Sequence, residues 1–99
     1  MAELKGSKLR TLRSMANTLK PLVFVGKNGL SEAVLDSIDQ ALQDHELIKV
    51  RFLEFKDRKK TLCEKIREQC KCEWVGLVGH VAIFYRQQPD IDKRRINLD

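Results

Sequence analysis

The chain has 99 residues and a mass of 11.5 kDa, which is enough for one domain but not for two independent cores. Its 42% apolar and 33% charged residues are typical of a globular protein and exclude a disordered or collagen-like chain. Nineteen basic and 14 acidic residues give a net charge of +5, which favours polyanionic partners.

The longest uninterrupted apolar segment, residues 81–85, is far too short for a membrane-spanning helix or a signal peptide. Three cysteines in a chain without an export signal favour reduced thiols. We therefore expect a cytoplasmic protein that contacts no membrane.

The first part of the chain predicts a helix and then a short strand. Ser7 is placed to cap the helix and Pro21 ends it. Its apolar residues recur at helical spacing, at Leu9, Leu12, Ala16 and Leu19. The apolar run over residues 22–25 predicts a buried strand, and residues 26–29 form a turn.

A second helix follows, with Ser31 as its predicted N-cap. Its apolar face consists of Val34, Leu35, Ile38, Ala41 and Leu42. Alternating apolar and basic residues over 48–52 predict a second strand. Because strand–helix–strand units cross over right-handedly, the first two strands should pair in parallel.

The last part predicts a third helix capped by Asp57, and then a hairpin. The inner side of this helix carries Leu62, Cys63, Ile66 and Cys70. Strands over 74–78 and 81–86 flank Gly79–His80, which favours a type II′ turn. Residues 87–99 are predicted to form a tail or a loosely attached edge segment. The order α-β-α-β-α-β-β predicts a single α/β domain, with helices on both faces of a four-stranded mixed sheet.

The most specific local feature is the segment Gly26-Lys27-Asn28-Gly29 between a strand and a helix. Glycine permits positive φ and close approach of a ligand, and the following helix offers free N–H groups to an anion. Lys27 adds a cation, and Asn28 tolerates left-handed geometry. Taken alone, these residues fit a plain turn as well as a phosphate clamp. They lack the remaining residues of a nucleotide-binding loop, so we expect no small-molecule substrate.

Charge is segregated along the chain. Residues 1–30 and 47–71 each carry +5, residues 31–46 carry −5, and residues 72–99 are neutral. Such segregation predicts one surface that gathers phosphate and another that repels it, although solvated helix faces give the same pattern.

Basic residues from three segments are predicted to meet the 26–29 turn. The predicted third helix begins with three basic residues, Arg58, Lys59 and Lys60. Cations are unfavourable there, because the N-terminal end of a helix dipole is positive. The ends of two parallel strands share one sheet edge, which should place these residues beside the turn. The beginning of the first helix should return to that edge. Lys5 lies near the start of this first helix. The candidate RNA-contact residues of the helix are Lys8, Arg10, Arg13 and Lys20.

No pattern predicts an enzyme, a cofactor or a metal site. Cys63, Cys70 and Cys72 lack metal-knuckle spacing, and His45 and His80 have no adjacent nucleophile.

The strand aromatics Trp74, Phe84 and Tyr85 are expected in the core rather than stacked on bases, with Tyr85 and Arg86 the most exposed of this segment. A protein–protein adaptor that uses the acidic second helix and an exposed sheet face stays open as an alternative.

Four segments, in their order and spacing, resemble the CRM domain (chloroplast RNA splicing and ribosome maturation), here in its stand-alone bacterial YhbY-type form. They are Leu19-Lys20-Pro21, Gly26-Lys27-Asn28-Gly29-Leu30, residues 45–50 and Phe84-Tyr85-Arg86. The resemblance covers nearly the whole chain. It departs at Phe84, where the family often has leucine.

The resemblance implies a fold similar to the C-terminal domain of bacterial translation initiation factor three. It also implies RNA binding through Gly26, Lys27, Asn28 and Gly29, and association with precursors of the large ribosomal subunit during ribosome assembly. We therefore expect residues 1–99 to form one non-catalytic, monomeric domain that binds ribosomal or other structured RNA. The splicing role of multidomain plant members is not implied for a single copy.

Overall fold

The computed structural model describes residues 6–98, which contain three α-helices and one four-stranded sheet. In chain order the elements are α1 (Gly6–Ala16), β1 (Val23–Val25), α2 (Glu32–His45), β2 (Leu47–Phe52), α3 (Lys59–Cys70), β3 (Glu73–Val78) and β4 (Val81–Tyr85). Short 3₁₀ turns lie at Lys56–Arg58 and Ile91–Lys93. The predicted order and α/β class are confirmed, whereas Lys5 lies outside the described residues.

The strands are arranged in the order β1-β2-β4-β3. β1 and β2 are parallel, and β4 is antiparallel to both β2 and β3, as the crossover and the hairpin predict. In the hairpin loop the first residue, Gly79, has a φ of +60°, and the φ of the second residue, His80, is negative. This combination is typical of a type II′ turn.

Helices cover both faces of the sheet, and each face has its own core, which confirms the expectation of two-sided cover. α2 and α3 pack on one face, where the fully buried residues include Val25, Ile38, Leu42, Phe52, Ile66 and Phe84. α1 packs on the other face through Leu12, Ala16, Leu47, Val75, Ile83, Tyr85 and Ile96.

Helix boundaries follow the sequence at α2 and depart from it at α1 and α3. Ser31 Oγ accepts from the Val34 N–H at 3.2 Å, which confirms the predicted cap. α1 already includes Gly6, so Ser7 lies inside its first turn, and Leu19 lies beyond its end. Asp57 does not cap α3: a 3₁₀ turn precedes that helix, and its capping position, Arg58, makes no side-chain cap bond.

β1 is buried on one side only, which corrects the prediction of a buried strand. Val23 and Val25 enter the core under α2, whereas Phe24 points to the opposite face and is 49% exposed. β1 is an edge strand, and α1 does not extend over this part of the face.

Glu46 ties the C-terminal segment to the domain. It ends α2 with a φ of +64°, and its side chain is buried. Its carboxylate accepts from the N–H groups of Gln88 at 2.8 Å, Ile96 at 3.0 Å and Arg95. The segment is therefore held more firmly than the predicted loose tail, because one carboxylate satisfies three of its backbone donors.

Candidate nucleic-acid interface

The glycine-flanked turn between β1 and α2 is closed by its own backbone. The Gly29 N–H donates to the Gly26 carbonyl at 3.0 Å, which leaves Lys27 and Asn28 exposed at the tip. Gly29, with a φ of +64°, takes the left-handed conformation that the sequence had suggested for Asn28. Ser31 then starts α2, so the dipole of that helix begins beside the turn.

The turn lies against the segment that leads into α3. A Cβ added to Gly29 would be 3.5 Å from the Phe55 ring, and Phe55 immediately precedes the Lys56–Arg58 turn. The Leu53 N–H also donates to the Val25 carbonyl at 2.9 Å, which joins the ends of β2 and β1. The turn and the start of α3 are therefore neighbours on one edge of the sheet.

The tip of the β3–β4 hairpin joins the same edge. Lys59 Nζ donates to the Gly79 carbonyl at 2.6 Å and lies 3.0 Å from His80 Nδ1. The Phe52 N–H, at the end of β2, donates to the His80 carbonyl at 2.8 Å. We call the surface formed by residues 26–29, 56–60 and 79–80 the loop edge.

The loop edge carries a positive field that acts on His80. Loss of hydration in the turn and the cations of Lys59, Lys56 and Arg51 lower the pKa of His80 below its ordinary value. Lys56, Arg51 and His80 belong to this site although no sequence pattern indicated them. Their proximity depends on β4 lying between β2 and β3, an arrangement that no local pattern indicates.

Two of the predicted basic residues, Arg13 and Lys20, do not lie at the loop edge. Arg13 Nε donates to the Val75 carbonyl at 2.9 Å, so its guanidinium lies across β3. Lys20 lies with His45, Leu47 and Arg95 at the opposite end of β2, because the chain must return there to begin β1.

Lys8, which is half-buried, and Arg10, which is exposed, lie in the first half of α1, and their role in RNA binding stays a prediction. The predicted basic residues at the start of α3 do lie on this edge, with Arg58 and Lys60 exposed and Lys59 half-buried.

The acidic surface of α2 is smaller than the sequence indicated. Glu46 points inward, and Asp39 pairs with Arg86 Nη1 at 2.6 Å. Arg86 also donates to the Cys70 carbonyl at 2.7 Å and is half-buried, and Tyr85 is only 3% exposed. The expectation that Tyr85 and Arg86 are exposed is therefore wrong. Phe84 is buried as predicted, and Trp74 is half-buried.

The three thiols lie in the interior. Burial raises the pKa of Cys63 and of Cys72 to about 12, and raises that of Cys70. These thiols therefore stay protonated at neutral pH and are poor nucleophiles.

Within the described part of the chain, no group of three His, Cys, Asp or Glu side chains could hold a metal ion. None of the described helices is both long and apolar enough to span a bilayer.

Comparison with known proteins identifies the family. The model of the CRS1/YhbY (CRM) domain matches residues 4–86. The chain belongs to the CRM domain family. A probable RNA-binding protein of Pseudomonas aeruginosa is 36% identical to this CRM domain over 90 residues, which are 90% of this chain and 86% of that protein. An RNA-binding protein of Haemophilus influenzae is 36% identical over 87% of this chain and 88% of its own length.

A solved structure has the same fold as this CRM domain. It is the solution structure of a hypothetical Staphylococcus aureus protein proposed to bind RNA, with a TM-score of 0.80 and 33% identity. The match covers 96% of this chain and all of the other. The fold that positions the loop edge is therefore shared with that protein.

Replacing Gly29 with alanine should strain the turn. A side chain at a φ of +64° costs about 1 kcal/mol, so we expect Gly29→Ala to lower the free energy of unfolding by about that amount. Gly26→Ala is the matched control, because Gly26 has open space for a Cβ and its φ is outside the left-handed region. Urea denaturation of both variants measures the difference, and equal stability would contradict the assignment of the turn geometry to Gly29.

Proposed function

We propose that this chain is a non-catalytic RNA-binding protein whose loop edge binds the phosphate backbone. The observation that carries the proposal is the contact of three separate segments at one sheet edge: Gly29 against Phe55, and Lys59 on the Gly79 carbonyl. The names of the relatives, which are RNA-binding or probable RNA-binding proteins, support it.

The chemistry of the loop edge suits a phosphate. A turn without side chains at its two glycines lets a backbone approach closely, and the first N–H groups of α2 lie beside it. Exposed cations surround the turn, at Lys27, Lys56, Arg58 and Lys60. Such contacts fix the position of an RNA without reading its sequence.

The salt dependence of RNA affinity tests this mechanism. If about four phosphates are neutralised, the logarithm of the association constant should fall against the logarithm of salt concentration with a slope of about −3 to −4. Fluorescence anisotropy with a labelled structured RNA measures this slope. A flat response would exclude a phosphate-dominated interface.

We further propose that the RNA is ribosomal and that the protein associates with precursors of the large ribosomal subunit, as the family resemblance implies. In sedimentation of cell extract, the protein should travel with precursor large subunits at low salt and leave them at high salt. A salt-resistant complex without RNA after nuclease treatment would instead favour the protein–protein adaptor. Pairing of Asp39 and burial of Glu46 leave that alternative with less acidic surface than the sequence suggested.

RNA binding should strengthen as the pH falls from about 8 to 6. The 3.0 Å approach of Lys59 Nζ to His80 Nδ1 requires an unprotonated Nδ1, and the lowered pKa keeps free His80 neutral. A phosphate bound beside His80 raises its pKa, so binding takes up a proton and affinity rises by at most about tenfold per pH unit. His80→Gln should remove this dependence, whereas His45→Gln, away from the loop edge, should keep it. An unchanged pH profile in His80→Gln would place the phosphate elsewhere.

A further inference from the structure

The α1-facing side of the sheet is uncovered next to the loop edge. α1 rests on the other end of this face, against Leu47, Val75 and Tyr85. Beyond it, strand register aligns one side chain from each strand: Phe24, Arg51, Val81 and Val78. Strand alternation places these residues on a common face, because their neighbours Val25, Phe52, Ala82 and Leu77 pack under α2 and α3. We call these four residues the exposed row.

The exposed row leaves large apolar groups in water. Phe24 is 49% exposed and Val78 is 71% exposed, although burying such side chains is worth about 1.5–3 kcal/mol each. Phe24 and Val78 lie on the two outer strands, with Arg51 and the half-buried Val81 between them. Exposed apolar groups gathered on one face mark a binding site more often than scattered single residues do. Arg51, directly opposite Phe24 in the parallel ladder, is exposed, and its side chain makes no hydrogen bond or ion pair within residues 6–98.

A hollow of about 220 Å³ opens beside the exposed row. It is lined by apolar side chains and by Asn17, Lys49 and Arg51, and by no acidic group of the described residues. Lys49 Nζ is turned to the Leu19 carbonyl at 3.1 Å, which leaves Arg51 as the free cation of the hollow. Phe24 does not line the hollow but lies next to Arg51 on the neighbouring strand. An aromatic ring, a free guanidinium and an apolar hollow therefore follow one another across the sheet, and together they match flat bases joined to an anionic backbone.

We propose that the exposed row is a stacking site for unpaired nucleobases of the RNA whose backbone the loop edge binds; this inference depends on the proposed RNA binding. Phe24 is two residues before Gly26, so an RNA strand whose backbone is held at the turn is within reach of this face. Its ring and the Arg51 guanidinium can each stack on a base, in a manner that tolerates any sequence. A base that is paired within a duplex cannot reach this site, so the site selects single-stranded segments.

Affinities for a short unstructured RNA strand and for a fully paired duplex of the same strand length test the stacking site. We expect Phe24→Leu, which keeps an apolar side chain at an exposed position, to weaken single-strand binding about tenfold and leave duplex binding unchanged. Phe24→Trp should retain single-strand affinity. Ile91→Ala, which also shortens an exposed apolar side chain, is the matched control and should bind both RNAs as the wild type does.

A spectroscopic readout separates stacking from loss of fold. A 2-aminopurine base within the single strand should be quenched on binding the wild type and Phe24→Trp, and not Phe24→Leu. Equal affinities of wild type and Phe24→Leu for the single strand would overturn the stacking site while leaving phosphate binding intact. A Phe24→Leu variant that loses the same affinity for the single strand and for the duplex would also overturn it. Failure of the wild type to bind either RNA would instead overturn the proposed function.

Discussion

Glu46→Ala should lower the free energy of unfolding by about 3 kcal/mol. The carboxylate accepts three backbone N–H bonds, one from the buried Ile96 and two from the part-buried donors of Gln88 and Arg95. Leaving a buried donor unpaired costs about 1–3 kcal/mol, and the part-buried donors add less because water reaches them. For a domain of this size, the melting temperature should fall by about 15 °C. The C-terminal segment should detach first, because three of the backbone N–H groups that tie it to the domain donate to this side chain.

Asp36→Ala is the control for Glu46→Ala, since it removes the same charge from an exposed position of α2, the helix that Glu46 ends. Calorimetry of both variants, with hydrogen exchange at Ile96, measures the effect. A change of less than about 0.5 kcal/mol in Glu46→Ala would show that the segment is not anchored by this carboxylate.

Charge reversal at the loop edge should produce the largest change in RNA affinity. Lys27→Glu combined with Lys60→Glu places two anions where we propose phosphates bind, so we expect a loss of about 100-fold at physiological salt. The salt slope should also fall by about 2, because two phosphate contacts disappear. Both side chains are exposed and make no hydrogen bond within the described residues, so the fold should be preserved.

The matched variant is Lys20→Glu with Lys93→Glu, which changes the net charge equally at exposed positions outside the loop edge. Because exposed charges more than about 8 Å from the ligand are screened at physiological salt, affinity should fall less than about threefold. Equal losses in the two double variants would mean that overall charge, and not the loop edge, governs binding.

The sequence predicts the local parts of this site and not their long-range completion. The right-handed crossover rule predicts the parallel pairing of β1 and β2, and capping preferences predict Ser31 as the N-cap of α2. The closeness of the 26–29 turn to the start of α3 can therefore be predicted from short segments. The hairpin tip reaches the loop edge only because β4 pairs with β2, which depends on competition between whole strands. Lys59 therefore meets Gly79 and His80 through topology, which residue spacing does not indicate.

Glu46 and Phe24 show the same limit. Glu46 belongs to an acidic run, and its inward direction arises from a positive φ and from donors more than 40 residues away in the chain. Phe24 lies in an apolar run, and only the position of β1 at the sheet edge, beyond the reach of α1, leaves it exposed. In both cases the burial of a side chain is decided by neighbours that are distant in sequence.

Amide chemical-shift mapping of the isotopically labelled protein during titration with a structured RNA tests the loop edge most directly. We expect the largest shifts at Gly26–Gly29, at residues 56–60 and at Gly79–His80, with the exposed face of α2 unaffected. Shifts concentrated on α2 or on the C-terminal segment, with the turn over 26–29 unchanged, would contradict RNA binding at the loop edge.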